Sequence, residues 1–246
     1  KRAEVFQLRD LLAEILANHR VRGGLVRRIC EAEGVPDVAE GLLDLEADEL
    51  ARVLVEGVEL VKDNLSRFLS RDRYSLPPRH NFFFTRDAAV TVRDRVLVSR
   101  MANPVRGREA RLLEAVFDFH PRLGATTVNP ARLGAARDAV TIEGGDVLVA
   151  GPELLIIGTG ARTSREAVYF LIERFKQLGR KQHLVVQSLP RTPESFIHLD
   201  MVFTLLDRDQ CMVYEPVVMQ THHFDTVHVS IEGGRVVSIS QEDIVL

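Results

Sequence analysis

The strongest constraint on this chain is an internal repeat of strand, turn, strand, helix and strand. Residues 82–92 are rich in β-formers, Arg93-Asp94 marks a turn, and residues 95–101 predict a second strand. An amphipathic helix is predicted over 104–119 and another strand over 125–128. The same order returns as 146–150, a turn at Gly151-Pro152-Glu153, 154–157, a helix over 164–178 and a strand over 183–187. It begins again at 201–206, with a turn at Asp207-Arg208-Asp209 and a strand over 210–213. The spacing agrees: Arg108-Glu109-Ala110 recurs as Arg165-Glu166-Ala167 57 positions later, and Asp87, Asp146 and Asp200 lie 59 and 54 positions apart. A ββαβ unit of this size cannot bury its own apolar faces, so several copies must pack around a common axis. The repeat therefore predicts a propeller-like α/β fold whose strand ends converge on a central site.

Upstream of residue 81 the pattern is helical. Leu11, Leu12, Ile15 and Leu16 lie on one face of a helix over 9–19, and Leu25, Val26, Ile29 and Cys30 mark another over 25–33. Gly34 and Pro36 end it, further helices are predicted over 48–59 and 61–69, and Pro77-Pro78 closes the region. Residues 19–73 read as a small helical segment.

Composition narrows the function classes. The chain is 46% hydrophobic and 27% charged with a formal net charge of -3, which suits a packed globular core and gives no reason to expect nucleic acid as a partner. No run of about 18 apolar residues is present to span a membrane. Lys1-Arg2-Ala3-Glu4 is followed by no apolar signal-peptide region. Cys30 and Cys211 are too few for a disulfide framework, so a reducing cytoplasm is the simplest setting. The first residue is not Met, which suggests that the natural N-terminus lies upstream.

Polar residues cluster at the predicted strand starts. His198 and Asp200 are two apart, and on a strand both would face the same way. They could form a surface pair or a core histidine held by an acid, but Phe196, Ile197, Leu199 and Met201 around them weigh against the surface. Glu143-Gly144-Gly145-Asp146 is either a loop into a hairpin or a place where glycine lets a ligand approach while Glu143 points inward. Asn81 and Asp87 flank three phenylalanines, one of which could line a pocket. Arg106 and Arg162 both open helices that follow hairpins, where two guanidinium forks could hold a carboxylate. Asp87 and Asp200 at one pole and two arginines at the other describe a pocket for arginine itself. His198 and Glu143 could then manage protons, and a nucleophile is missing.

These motifs resemble the signatures of arginine deiminases, members of the guanidine-modifying or pentein superfamily. The resemblance rests on Asn81–Asp87, Glu143–Val147, Gly160–Thr163 and His198–Thr204, and extends to Val105-Arg106-Gly107-Arg108-Glu109 and Leu205-Leu206-Asp207-Arg208-Asp209. It implies a pentein-type α/β propeller of ββαβ units with an inserted small helical bundle. Residues 1–18 would end the first repeat, 19–75 would form the insertion, and 76–246 would hold repeats two to four. The implied reaction hydrolyses L-arginine to L-citrulline and ammonia through a covalent cysteine intermediate. By position, His198 would be the general acid and base, with Glu143 supporting it and binding the guanidinium. Asp87 and Asp200 would grip the guanidinium nitrogens. Asn81, Arg106 and Arg162 would bind the amino-acid end, and Phe84 would line the pocket. No metal or organic cofactor is implied, nor any nucleic acid or membrane partner, and a homo-oligomer remains compatible.

The chain departs from the family pattern at both ends. The family nucleophile lies in a fifth repeat after a glycine-rich loop, so this chain reads as incomplete and the attacking cysteine is expected outside it. Cys30, on an apolar helix face, and Cys211, on the return strand of a hairpin, are expected to be structural. His222, His223 and His228 show no metal-site spacing with a cysteine or acid. Alternatives are an arginine dihydrolase or amidinotransferase on the same scaffold, or a short pentein that binds arginine without turnover.

Overall fold

The computed structural model describes residues 4–132, 139–219 and 224–241, so His222 and His223 lie outside the described residues. Two compact units emerge. One comprises residues 1–85 and 105–127, the other 86–104 and 128–246.

In chain order the elements are α1 (Leu8–Leu16), α2 (His19–Ala32), α3 (Ala39–Leu43), α4 (Ala47–Glu56), β1 (Val58–Glu59), α5 (Asn64–Leu69) and β2 (Tyr74–Leu76). There follow α6 (Thr85–Ala88), β3 (Ala89–Val92), β4 (Arg95–Val98), α7 (Gly107–Phe119) and β5 (Thr126–Val128). Next come β6 (Val147–Gly151), β7 (Leu154–Thr159), α8 (Arg165–Leu178) and β8 (Gln182–Ser188). The last are β9 (Phe203–Leu205), β10 (Cys211–Val213), α9 (Glu215–Val218), β11 (Thr226–Glu232) and β12 (Arg235–Gln241).

The first unit packs α1 against α4, and α7 against α1 and α2. Leu12, Leu16, Leu25, Ile29, Leu50, Leu54 and Leu112 are fully or almost fully buried among them. Each such side chain contributes about 1.5–3 kcal/mol by leaving water. The helix predicted from residue 25 starts earlier, at His19. The Asn18 side chain caps it by accepting the Arg20 and Val21 N–H groups at 3.0 and 3.4 Å. The helix predicted over 48–59 stops at Glu56. Gly57 takes φ 87°, a left-handed value open to glycine, and β1 then pairs with β2. Arg108 is fully buried and answers Glu33: its Nε donates to Glu33 Oε1 at 2.6 Å, and its Nη1 to the Leu54 carbonyl at 3.1 Å. Its Nη2 donates to Glu33 Oε2.

The second unit contains the predicted repeat in full once. β6 and β7 form an antiparallel hairpin, α8 crosses over, and β8 returns parallel to β7. Ser164 caps α8 by accepting the Ala167 N–H at 3.3 Å. Among the described residues the sheet order is β12-β11-β8-β7-β6, an open sheet. The third copy supplies the hairpin β9–β10, but β11 then joins β8 in this larger sheet. Alternation along β7 places its residues in two cores. Leu155 and Ile157 pack with Leu171, Phe175 and Leu184. Ile156 packs with Leu148, Leu199, Val202 and Phe203.

Two local predictions fail. Residues 82–92 do not form one strand: α6 precedes β3. Arg86 holds that turn by donating from Nη2 to the Val147 carbonyl at 2.9 Å and from Nε to the Gly144 carbonyl at 3.3 Å. Nor do His198 and Asp200 share a strand face. His198 is extended, but Leu199–Met201 is a single 3-10 turn. Leu199 is drawn fully into the core there, and the turn replaces the strand geometry.

Candidate active site

Three segments of the second unit converge. They are Arg86-Asp87, Glu143–Asp146 and His198–Asp200. Asp87, Glu143 and His198 each offer an oxygen or nitrogen within 4.8 Å of the other two. The glycines between the acids explain this approach. A Cβ on Gly144 would overlap the Arg86 carbonyl oxygen, and one on Gly145 would lie 2.8 Å from His198 Cγ and 3.1 Å from Asp87 Oδ1. The glycine space is thus filled by the protein's own backbone and imidazole, not by a ligand.

His198 sits between two carboxylates. Its Nε2 is 3.4 Å from Glu143 Oε2, and its Nδ1 is 3.4 Å from Asp146 Oδ2. The imidazole is 6% exposed and both acids are 0% exposed, so these charges act in a poorly screened setting. Burial alone would lower the imidazole, but Asp146 and Glu143, with Asp87 beyond them, push it up to about 10. Burial works to raise Glu143, yet His198, the Ala102 N–H and Arg162 together hold it below its ordinary value. Glu143 Oε1 accepts the Ala102 N–H at 2.9 Å and lies 3.7 Å from Arg162 Nη1. Burial raises Asp146, opposed by His198, Thr163 and the Leu199 N–H.

Asp200 stands differently. Its side chain is open to solvent, yet the protein on its inner side raises its carboxyl, with Asp87 adding to the rise and His198 opposing it. Asp87 is half-buried. Asp87 and Asp200 thus both stand beside the buried imidazole.

The remaining predicted residues are placed as follows. Arg162 lies in the turn between β7 and α8, partly exposed and beside Glu143. In the first unit, Arg106 is buried and its Nη2 donates to Glu109 Oε2 at 2.8 Å and to the Asn81 carbonyl at 3.3 Å. Phe82 is buried in that unit, whereas Phe83 and Phe84 are exposed. Cys30 is buried in α2, and burial raises its thiol. Cys211 is exposed and pairs with Leu205, at the end of the β9–β10 ladder away from His198.

Sequence reasoning missed roles for Asp146, Thr163 and Arg86. Asp146 was visible as the second acid of the Glu-Gly-Gly-Asp motif. Thr163 closes the Gly-x-Arg-Thr motif and accepts the Glu143 N–H through Oγ1 at 3.2 Å.

The profile of the arginine deiminase family matches residues 1–244. An arginine deiminase of Bacillus cytotoxicus is 33% identical over 230 residues, or 87% of this chain and 55% of that protein. One from Listeria monocytogenes is 30% identical over 231 residues, 88% of this chain and 55% of its own length. The chain thus spans about half the length of the curated relatives it matches. Among solved structures, an apo arginine dihydrolase of the cyanobacterial ornithine–ammonia cycle is 25% identical with a TM-score of 0.45, covering 55% of this chain and 20% of that one.

Proposed function

This chain belongs to the arginine deiminase family, and from that premise we propose that it carries the guanidinium-binding and proton-transfer groups of an enzyme that hydrolyses L-arginine to L-citrulline and ammonia. The observation that carries the reading is His198 held between Glu143 and Asp146, with Asp87 in the same cluster. Asp87 and Asp200 grip the guanidinium nitrogens, and Glu143 binds the same group while it supports His198. A thiolate attacks the guanidinium carbon, a carbon–sulfur bond forms, and ammonia departs after taking a proton from His198. Water then attacks the same carbon, gives its proton back to His198, and breaks the carbon–sulfur bond to release citrulline. We place that thiolate outside residues 1–246. Cys30 is buried with its thiol raised, and Cys211 lies at the far end of its hairpin.

The same proposal assigns Arg162, Asn81 and Arg106 to the amino-acid end of the substrate and Phe84 to the pocket wall. It also includes a pentein-type α/β propeller of repeated ββαβ units, the helical insertion over 19–75 and a cytoplasmic setting. Among the described residues no helix is long and apolar enough to cross a membrane.

Calorimetric titration of the 246-residue chain with L-arginine, L-lysine and L-citrulline tests the guanidinium grip. Arginine should bind more tightly than lysine, and Asp87→Asn should abolish the preference. Equal binding of arginine and lysine would overturn the reading. In turnover assays the chain alone should form no citrulline, and citrulline production abolished by Cys211→Ala would refute the placement of the thiol.

A further inference from the structure

The two acids around His198 are not equivalent. Asp146 is fixed by the same short segment through its Oδ1, which accepts the Leu199 N–H at 2.9 Å, while its Oδ2 stands at ion-pair distance, 3.4 Å, from Nδ1 of the adjoining His198 without a hydrogen bond between them. Both contacts lie in protein interior, since Asp146 and Leu199 are 0% exposed. Gly158 leaves room for the carboxylate, because a Cβ there would come within 2.8 Å of Asp146 Oδ1. Gly145 lies against the imidazole on another side, where an added Cβ would stand 2.8 Å from Cγ. The Nε2 side faces Glu143. Glu143 there neighbours Arg162, whose side chain is 25% exposed, and the half-buried Asp87.

We propose that Asp146 is the positioning residue that pins the Nδ1 proton of His198, leaving Nε2, on the Glu143 side, as the nitrogen that gives and takes protons. Within the deiminase reading on which this rests, the Nε2 proton passes to the departing nitrogen and is replaced by one from the attacking water. The Nδ1 proton stays in place throughout. A buried carboxylate that orients an imidazole selects its tautomer and strengthens its basicity without touching substrate.

Nitrogen NMR of the chain labelled with ¹⁵N-histidine tests this between about pH 6 and about pH 11, with the His198 signals assigned by their loss in His198→Gln. Nδ1 should remain protonated across the titration while Nε2 loses its proton. In Asp146→Asn, which keeps an oxygen for the Leu199 N–H, the His198 pKa should fall by about 1–3 units and the neutral ring should switch to the Nε2–H tautomer. A role limited to anchoring the turn would lower the stability of Asp146→Asn and leave pKa and tautomer where they were. That result overturns the proposal, as does a wild-type neutral ring protonated on Nε2. If the variant fails to fold, the wild-type tautomer still decides. No turnover is needed, so an inactive chain does not affect this test, and a failed tautomer prediction leaves the arginine-binding test standing.

Discussion

Replacing Gly145 by alanine perturbs the site through a single methyl group. The added Cβ would stand 2.8 Å from His198 Cγ, 3.0 Å from His198 Nδ1 and 3.1 Å from Asp87 Oδ1. Ordinary non-bonded contact is about 3.5–4.0 Å, so the ring must retreat by roughly 0.7–1.2 Å. It is 6% exposed and flanked by two buried carboxylates, which leaves little room to move without stretching the pairs to Glu143 and Asp146. Overpacking of this kind costs about 1–3 kcal/mol. For a chain of 246 residues, each kcal/mol lowers Tm by roughly 2–4 °C, so Gly145→Ala should melt about 2–12 °C below the parent. Gly151→Ala is the control: the nearest atom to its Cβ is Leu154 Cβ at 3.9 Å, ordinary contact, and its stability should change by less than about 0.5 kcal/mol. Thermal unfolding followed by circular dichroism measures both. A Gly145→Ala protein that melts with the Gly151→Ala control would refute the claim that the imidazole lies against this backbone. The displaced ring should also weaken arginine binding in calorimetry, whereas Gly151→Ala should bind as the parent does.

Other outcomes follow from the charges. His198 titrates well above its ordinary value, near 10, so the stabilisation it brings is complete below about pH 6.5 and is lost as pH rises through about 10. The stability gap between the parent and His198→Gln, from urea unfolding at several pH values, should therefore shrink over that window, and a constant gap contradicts the charge clamp. Glu143 is shifted the other way, so its contribution is present above the ordinary carboxylate range and fades on acidification. In the first unit, Arg108→Ala should cost about 3 kcal/mol in urea unfolding, the low end for breaking a buried pair, because Glu33 loses its two-pronged partner but keeps Arg79 at 3.4 Å. Arg108→Lys should recover only part of this, since an ammonium cannot reproduce the two-pronged contact. A thiol-specific reagent should modify Cys211 promptly and Cys30 only on unfolding, and prompt reaction of both would show that α2 does not bury its cysteine.

The repeat that could be read in the chain is realised most faithfully at β6-β7-α8-β8. Its cues are local: Gly151-Pro152-Glu153 turns the hairpin, Ser164 caps the helix, and apolar residues recur at the two periods of strand and helix. The first helices were legible for the same reason. Where local cues competed, prediction failed. Apolar residues around His198 and Asp200 suit a strand, yet burial of Leu199 selects a tight turn and leaves Asp200 exposed. The phenylalanine-rich segment also suits a strand, but Arg86 reaches carbonyls 58 and 61 positions away and fixes a helical turn.

Sequence alone determined the residue types of the His198 cluster and their order along the chain, because these follow from motif and spacing. Only the tertiary structure decided which charges meet. Asp146 and Leu199 are 53 positions apart, and their hydrogen bond brings a buried acid to the imidazole next door. Periodicity extends over a few turns of chain, while the protonation of His198 depends on burial and on distances between segments that only packing brings together.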